Sequence, residues 1–481
     1  NSRAMSALSE PEIRTKNTVL DFKDHSTNRR QQLNIRHDFN YATPIFDKGH
    51  WMAYYQETKG RQRIDEVRFS PATPARPPYV PVAKPAITSD RCRTASFDSK
   101  LFGFNAECSK NIDVGTVSHE LTYGATYKHN KVKTLRFGDT IDRATEQSIE
   151  TQIFPNQSFP NSKVQDAGLF VQDRIGFLDN TIEVIMGLRY DHYSLKVEQG
   201  GGYMNANPGI AAPVDKSKGH LSKRLAVLYY PFENHTFYAN YAEGFKAPDF
   251  TEINSGFGNL AHGYIARSNP NLKPETSQTF ELGWNFNNDI HTASVAAFYT
   301  RYKAFIEEQK MVGTEMIGSR PTMIFQSVNL DRTYIYGLEA KTSLRVAELQ
   351  GGDGELRFNG AIAYAKGKDD KTKEPIDSVD PLTAVLGVSY SYSDLAYVGL
   401  NWNLVAGKSG GDISKDLKDV GITKSAGYGT LDLIAEYKPQ KNVRINAGIY
   451  NLFDKKYNTW DSYSRLSSAG GRGSMSGPSY G

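Results

Sequence analysis

A short segment near the middle of the chain contains the residue types with the clearest chemical potential. It reads Gly256-Phe-Gly-Asn-Leu-Ala-His-Gly-Tyr264, and its one histidine, His262, lies among glycines, Phe257, Leu260 and Tyr264. A neutral imidazole is a strong ligand for iron and serves as an axial ligand of haem. Glycines let a backbone approach a flat porphyrin closely, and apolar neighbours suit its faces. The residues alone leave a second interpretation open, a surface-loop histidine without a ligand.

Motifs that could carry catalysis fail on spacing or context. Gly407-Lys-Ser409 resembles the end of a phosphate-binding loop, but the required upstream glycine position holds Trp402. The glycine spacing of Gly256-Phe-Gly-Asn-Leu-Ala261 fits a dinucleotide fingerprint, yet it lies in a long loop and not between a strand and a helix. The acidic stretch 368–377 is interpreted as solvated loop charge. We therefore predict that the chain is not an enzyme.

Much of the sequence alternates with a period of two. From Ile182 to Tyr190 the even positions are apolar or aromatic, whereas the odd positions include Glu183, Gly187 and Arg189. Similar alternation covers 279–286, 356–364 and 443–449. Because side chains on a strand alternate between its two faces, each segment predicts a strand with one apolar face. About nineteen strands are expected, from near Thr18 to Phe453.

The connections between these segments alternate between short and long. Short polar turns are expected at 178–180, 231–234, 287–289, 351–354, 393–394 and 439–442, and long loops at 200–218, 246–275, 312–321, 367–380, 407–425 and 454–478. Tight turns at one end and long loops at the other are typical of a transmembrane β-barrel. The sequence therefore predicts an all-β, antiparallel transmembrane barrel over residues 1–481.

Composition agrees with this prediction. The 57 Lys and Arg residues against 53 Asp and Glu give a net charge of +4, which is too even to indicate a nucleic-acid surface. Mean hydropathy is −0.54, and no apolar run approaches the roughly 20 residues of a spanning helix. The chain has two cysteines, Cys92 and Cys108, in a stretch with Ser, Asp, Gly and Asn that looks irregular. A loop disulfide of that span would stabilise by about 3 kcal/mol, and two free thiols are the alternative.

Two motifs resemble those of a known family. Phe245-Lys-Ala-Pro248 is similar to the Phe-Arg-Ala-Pro box, and Asn269-Pro-Asn-Leu272 to the Asn-Pro-Asn-Leu box, of TonB-dependent outer-membrane haem receptors. Lys246 replaces the Arg of the first box. In that family a haem-ligating histidine lies between the two boxes, and here that position matches His262. The segments 269–277, 336–339 and 450–457 also resemble receptor strands.

The resemblance implies a barrel of about 22 strands with a plugged lumen. It implies that the N-terminal plug and the ends of the barrel, with a second haem ligand in the plug, lie outside this chain. It implies haem capture at the cell outer membrane of a Gram-negative bacterium and import energised by the TonB complex. Haem would arrive free, from haemoglobin or from a secreted haem-carrying protein. Tyr264 is the nearest alternative ligand, because a phenolate can also hold ferric haem.

The predicted cellular location bears on the cysteines, and two alternative functions remain open. The periplasm and the cell exterior are oxidising, so we predict a disulfide between Cys92 and Cys108. The first rival function is a TonB-dependent receptor for ferric siderophores, which would not depend on His262. The second, of another class, is a passive porin or an adhesin barrel, which would not need a plug.

Overall fold

The computed structural model describes residues 18–73, 83, 85–157, 159–198, 201–206, 212–254, 256–259, 264–317, 320–419 and 421–463. This part of the chain is nearly all strand. The strands are β1 (Thr18–Asn40), β2 (Lys48–Ser70), β3 (Ile87–Val114), β4 (Val117–Asp142), β5 (Ser162–Phe177), β6 (Ile182–Val197), β7 (Lys216–Tyr229), β8 (His235–Lys246), β9 (Phe257–Asn259), β10 (Tyr264–Arg267), β11 (Glu275–Asn287), β12 (Thr292–Ile317), β13 (Arg320–Leu349), β14 (Gly354–Asp369), β15 (Thr383–Tyr392), β16 (Ala396–Val405), β17 (Tyr428–Gln440) and β18 (Val443–Ile449).

Among the described residues, helical structure is limited to short pieces. Three helices, α1 (Gly201–Ala206), α2 (Phe250–Asn254) and α3 (Lys415–Asp419), lie in connections between strands. Two 3₁₀ turns cover Gln350–Gly352 and Gly410–Asp412. No helix in the described ranges has the length and apolar character needed to cross a membrane.

The strands form one antiparallel meander. Each strand from β1 to β8 pairs with the next, β8 pairs with β11, and the order then continues to β18. The small strands β9 and β10 form a hairpin inside the β8–β11 connection, and β10 pairs in parallel with β13. The predicted all-β antiparallel architecture is confirmed, and the described residues contain eighteen strands where about nineteen were expected.

Short and long connections alternate as predicted. The turns at 178–181, 230–234, 393–395 and 441–442 lie at one end of the sheet, and the connections 143–161, 198–215, 247–274, 370–382 and 406–427 lie at the other. The loop expected at 312–321 is wrong, because β12 continues to Ile317 and β13 begins at Arg320. Two register shifts, at Glu307/Lys310 and Met311/Gly313, accommodate this tall hairpin. Backbone hydrogen bonding holds it as a strand although its side chains no longer alternate in polarity.

Large apolar side chains cover the outer face of the sheet. Leu169 and Leu282 are 63% and 65% exposed, and Met186, Leu188 and Leu338 are also exposed. Soluble proteins rarely expose contiguous apolar surface on this scale, whereas a barrel wall in contact with lipid requires it. The outer face is therefore the lipid-facing side of a transmembrane barrel.

The predicted disulfide is wrong. Cys92 and Cys108 are free and lie far apart in the same strand, β3. Cys92 is opposite Asp65 and Asp139, whereas Cys108 is opposite Gly49 and Tyr123. A strand rises about 3.3 Å per residue, so the two Cα atoms are roughly 50 Å apart, and a disulfide needs them within about 7 Å. The polar residues that indicated a loop instead occupy the two faces of a tall strand.

Buried apolar clusters occur at the long-loop end. One consists of Tyr193, Leu195 and Ile253, and partly buried apolar residues of neighbouring elements pack against it. The other consists of Ile413, Leu417 and Trp460. These clusters fasten the long loops to one another and to the strands below them.

Candidate functional site

The β8–β11 connection, residues 247–274, carries the segment that the sequence singled out. His262, the predicted haem ligand, lies outside the described residues. Tyr264, the alternative ligand, is described and begins β10. The two motif segments at the ends of this connection are also described, so the geometry of the loop base is known.

The first motif continues from β8 into a buried turn. The Phe245 ring stacks on the His220 ring with centroids 4.9 Å apart and planes within 10°. The Lys246 ammonium donates to Glu252 Oε1 at 2.7 Å. Ala247 packs against the buried cluster that includes Ile253. The motif thus fixes the point at which the chain leaves the barrel wall.

Helix α2 follows immediately and has a reciprocal cap at its start. Asp249 Oδ1 accepts a hydrogen bond from the Thr251 N–H at 2.8 Å, and Glu252 Oε2 accepts one from the Asp249 N–H at 2.7 Å. This is the arrangement of a capping box, with Asp249 at the N-cap and Glu252 three residues later. The pattern Asp-x-x-Glu is visible in the sequence, and sequence reasoning missed it.

Asn254 joins the end of α2 to the neighbouring long loop. Its Oδ1 accepts from the Val214 N–H at 2.9 Å and its Nδ2 donates to the Val214 carbonyl at 3.0 Å. The Tyr203 hydroxyl of α1 donates to the Asn254 carbonyl at 2.6 Å. Burial raises the pKa of Tyr203, so its phenol stays protonated and remains a donor. These hydrogen bonds therefore connect the loops 198–215 and 247–274.

The second motif closes the base of the same loop. The Asn269 N–H donates to the Ile253 carbonyl at 3.0 Å, and Asn269 Nδ2 donates to the Ser327 carbonyl of β13 at 2.9 Å. The Pro270 carbonyl accepts from Lys216 Nζ of β7 at 3.0 Å. Leu272 is fully buried. The second motif is thus hydrogen-bonded through Asn269 to Ile253 of α2, the helix that follows the first motif, so the two ends of the intervening segment lie together.

Tyr264 is held against the tall β12–β13 hairpin. It lies opposite Met323 in the parallel β10–β13 pairing, and its ring meets the Phe325 ring edge-on at 6.4 Å. At the other end of β10, Arg267 makes a bidentate salt bridge to Glu315, with distances of 2.7 and 2.6 Å. The short strand is therefore fixed along its whole length.

Arginines line the inner face of β2, β3 and β4 at the same end of the barrel. Arg68 and Arg91 both donate to Glu66 Oε2, at 2.8 and 2.7 Å, and Glu66 is 8% exposed. Arg136 of β4 interacts electrostatically with Tyr264. These cations place positive charge on the lumen side of the wall, near the candidate ligand loop.

The loop 143–161 is tied to this inner face through Glu150. Its Oε2 accepts from Arg93 at 2.5 Å and from the Thr140 hydroxyl at 2.8 Å, and its Oε1 accepts from the Gln152 N–H at 2.8 Å. Burial alone would raise the pKa of Glu150, but these hydrogen bonds and the Arg93 charge together hold it below its usual range. Glu150 therefore remains a carboxylate at neutral pH.

Lys408, in the segment that resembled a phosphate loop, has a structural role. Its ammonium donates to the Val379 carbonyl and lies 4.2 Å from the centre of the Trp460 ring. The Trp460 indole N–H donates to the Asp377 carbonyl at 2.6 Å. Burial lowers the pKa of Lys408 and raises that of Asp377. Lys408 and Trp460 thus hold the loops 370–382 and 406–427 and the chain beyond β18 together.

The described residues do not assemble a metal centre of their own. Over the described ranges, no group of three or more His, Cys, Asp or Glu side chains is arranged to hold a metal ion.

Comparison with known proteins gives a family match and several receptors. A family model described as "TonB dependent receptor-like, beta-barrel" matches residues 6–452. The hemoglobin and hemoglobin-haptoglobin-binding protein A of Haemophilus influenzae is 25% identical over 435 residues, which cover 74% of this chain and 40% of that protein. The hemin receptor of Yersinia pestis is 28% identical over 365 residues, covering 71% and 45%. The hemin receptor of Yersinia enterocolitica is 30% identical over 370 residues, covering 71% and 46%. The chain spans about half or less of the length of these relatives.

Solved structures share the fold. The copper transporter OprC superposes with a TM-score of 0.65 at 21% identity, over 90% of this chain and 60% of that one. The ferric enterobactin receptor PfeA superposes with a TM-score of 0.57 at 18% identity, over 89% of this chain and 66% of that one. At these identities the likeness is one of architecture.

Proposed function

The chain belongs to the TonB-dependent receptor β-barrel family, and on that premise we propose that it is the barrel part of an outer-membrane receptor that captures haem and imports it. The three relatives described above are named for hemoglobin or hemin and are 25–30% identical to this chain. The siderophore receptor among the solved structures shares the fold at lower identity. The hypothesis of a haem receptor therefore has more support than that of a ferric-siderophore receptor.

One structural observation carries the proposal. The Asn269 N–H of the second motif donates to the carbonyl of Ile253 in α2, the helix that follows the first motif, so the described segments on either side of His262 are bonded to each other. Because the described ends of the loop are held together, ordering the loop on binding should cost less conformational entropy. Such a loop suits the capture of a rigid, planar ligand above the lumen.

His262 is the proposed axial ligand. A neutral imidazole donates a lone pair to iron, and the neighbouring glycines leave room for the porphyrin face. Tyr264 is the proposed alternative, because a phenolate also binds ferric haem. Its place at the start of β10, beside Phe325, would set a phenol at the edge of the same loop.

Arginines on the lumen wall suit the propionate groups of haem. Haem carries two propionate carboxylates, and guanidinium groups bind carboxylates well. Arg68, Arg91 and Arg136 lie on the inner face of neighbouring strands, so their field would attract an anionic ligand toward the lumen.

The wider proposal covers location and partners. The family is one of outer-membrane barrels, so we place this protein in the outer membrane of a Gram-negative bacterium, with its long loops outside the cell. Residues 1–481 would form the barrel domain, and a plug in the full-length protein would supply the second haem ligand. The TonB complex would energise import. Haemoglobin or a secreted haem-carrying protein would dock on the long loops and deliver the haem.

A spectroscopic titration separates the three candidate functions. Full-length receptor in detergent, titrated with haem, should develop a Soret band that saturates at one haem per protein. A porin or adhesin barrel would give no saturable band. A ferric-siderophore receptor would quench its intrinsic fluorescence with a ferric siderophore and show no saturable haem band, and that pattern would refute the proposal.

A further inference from the structure

On the outer face of β8, β11, β12, β13 and β14, the type of side chain changes from one row to the next toward the long loops. Register places Leu282, Ala297, Leu338 and Tyr364 side by side in one row across the strands. The next row toward the long loops is aromatic on β8 and β11 to β13, where its members are Tyr241, Phe280, Tyr299 and Tyr336, and on β14 it ends in Lys366, which is paired with Asp412. An apolar band bordered by an aromatic girdle marks the edge of the hydrocarbon layer. This part of the wall therefore reports where the lipid headgroups begin.

The two rows above the girdle are cationic. The first contains Arg301 and Lys368 beside Gln278 and Tyr334, and the second contains Lys303 and Arg332 beside Thr276. Tyr334 links the two zones, because its ring stacks on Tyr299 at 6.1 Å and on Tyr336 at 6.4 Å. We call Arg301, Lys303, Arg332 and Lys368 the rim cations. They face outward at headgroup depth.

Carboxylates do not neutralise the rim cations. Within the described part of the chain, none of the four forms a salt bridge. Glu243, in the same row as Arg301, instead accepts from the Tyr241 hydroxyl at 2.7 Å and from the Lys223 N–H at 3.2 Å. Asp370 is engaged by Lys373 at 2.9 Å, and that contact, aided by the charges of Arg301 and Arg332, holds the pKa of Asp370 below its usual range.

Three outward-facing cations of β2 are paired and provide a comparison. On β2, Lys59 lies 3.1 Å from Glu57, Arg61 lies 2.9 Å from Asp98, and Arg63 lies 2.8 Å from Asp65. Among the described residues, outward cations without a salt bridge also occur on β4, β5 and β6, at Lys131, Lys163 and Lys196; three of the rim cations differ in lining a surface cavity together.

A surface cavity of about 390 Å³ lies among these side chains, and its lining includes Arg301, Lys303 and Arg332 as well as the carboxylates of Glu243 and Asp370. Its lining combines guanidinium and ammonium donors with a phenol, an amide and these two carboxylates, both of which already accept hydrogen bonds from other groups. Guanidinium groups bind phosphate oxygens through two parallel hydrogen bonds, and an ammonium adds a point charge. The cavity therefore fits a phosphate that is attached to an acyl chain lying along the apolar rows below.

We propose that the rim cations bind the phosphorylated headgroup of a lipid in the membrane leaflet at the long-loop end. The acyl chains lie against the apolar row, the aromatic girdle marks the ester level, and Arg301, Lys303 and Arg332 hold the phosphate. This lipid contact is independent of haem capture, because the rim cations face outward and the candidate haem loop lies over the lumen. It fixes the depth of the β12–β14 wall in the bilayer.

The test compares two triple variants of the full-length receptor in detergent. One carries Arg301→Gln, Lys303→Gln and Arg332→Gln, and the matched control carries Lys59→Gln, Arg61→Gln and Arg63→Gln, which removes three outward charges that are already paired. The probes are short-chain phosphatidic acid and short-chain phosphatidylcholine, and bound lipid is counted by native mass spectrometry. The native receptor and the control should prefer phosphatidic acid, and the rim variant should bind it about tenfold to a hundredfold more weakly.

Each other outcome overturns the proposal. Equal binding of the two lipids by the native receptor, or unchanged phosphatidic acid binding by the rim variant, removes the rim cations from any headgroup site. Displacement of phosphatidic acid by inorganic phosphate at equal concentration would show a phosphate site without a lipid. If the triple variant does not fold, the single variant Lys303→Gln replaces it. This variant should lose part of the preference for phosphatidic acid over phosphatidylcholine, and an unchanged preference would overturn the proposal. An intact Soret titration in the rim variant separates this result from the haem proposal.

Discussion

The Asn269 N–H donates to the Ile253 carbonyl at 3.0 Å, and this bond joins the second motif to α2, the helix that follows the first motif. Asn269 Nδ2 also reaches the Ser327 carbonyl of β13 at 2.9 Å, and Oδ1 accepts from the Asn271 N–H at 3.1 Å. A single asparagine therefore ties the loop to itself and to the barrel wall.

Asn269→Ala should loosen the loop without unfolding the barrel. It removes two side-chain hydrogen bonds and leaves the Ser327 carbonyl without this donor, a local cost of roughly 1–3 kcal/mol. Hydrogen exchange at Ile253 and Ser268 should accelerate, while exchange in β11 and β12 stays unchanged. Asn271→Ala is the control, since Asn271 takes part through its backbone N–H. Equal protection in Asn269→Ala and the native protein would contradict this role.

Both cysteines should react as thiols. Cys92 and Cys108 lie in one strand, opposite different residues on each side. A maleimide applied after unfolding without reductant should therefore label both to completion, with the mass measured on intact protein. A disulfide-linked peptide containing both residues would contradict the strand assignment of β3.

Acidification should release the loop 143–161 before the barrel unfolds. The pKa of Glu150 is depressed in the folded protein, so its stabilising contribution is complete above the unfolded value near 4.3 and is lost as the pH falls through the lower folded value. Proteolysis of this loop by pepsin should therefore increase steeply below about pH 4.

Glu150→Gln provides the comparison for this pH dependence. The amide still accepts hydrogen bonds but carries no charge for Arg93, so the loop should be cleaved readily at all acidic pH values, with a flatter dependence. The same steep pH profile in both proteins would show that another group controls the loop.

Trp460→Ala should release the loop 406–427. Trp460 is 5% exposed, and its ring lies beneath the Lys408 ammonium. Replacing a buried tryptophan by alanine costs about 3–5 kcal/mol where the site cannot collapse. Here the loss destabilises the cluster of Ile413, Leu417 and Trp460. Limited trypsin cleavage after Lys415 or Lys418 should become fast. Trp402→Ala, which removes a half-exposed tryptophan from the outer face of β16, should leave cleavage unchanged.

The strand pattern was predictable because its determinants are local. Alternation from Ile182 to Tyr190 and the polar turn at 178–181 follow from backbone geometry, and both are present in the structure. The disulfide and the loop at 312–321 were predicted wrongly for one reason. Strands β3, β12 and β13 rise beyond the apolar band, where neither face needs apolar residues, so the alternation that reveals a strand disappears.

The candidate site was predictable in its residues but not in its contacts. The two motifs were visible as sequence, and so was the Asp249-to-Glu252 capping pattern. The partners Val214, Lys216 and Ser327 come from other strands and loops, and no local pattern connects them with Asn254, Pro270 and Asn269. Tertiary packing determines these contacts.

The most direct test of the haem proposal is the absorption spectrum of His262→Ala in full-length receptor that contains its plug. If His262 and a plug histidine are the two axial ligands, ferric haem in the native protein should be low-spin and six-coordinate. His262→Ala should then shift the spectrum toward high spin and weaken haem binding, with circular dichroism unchanged. His25→Ala, on the outer face of β1, should leave the spectrum as in the native protein, and Tyr264→Phe tests the phenolate separately. An unchanged spectrum and affinity in His262→Ala would contradict the account.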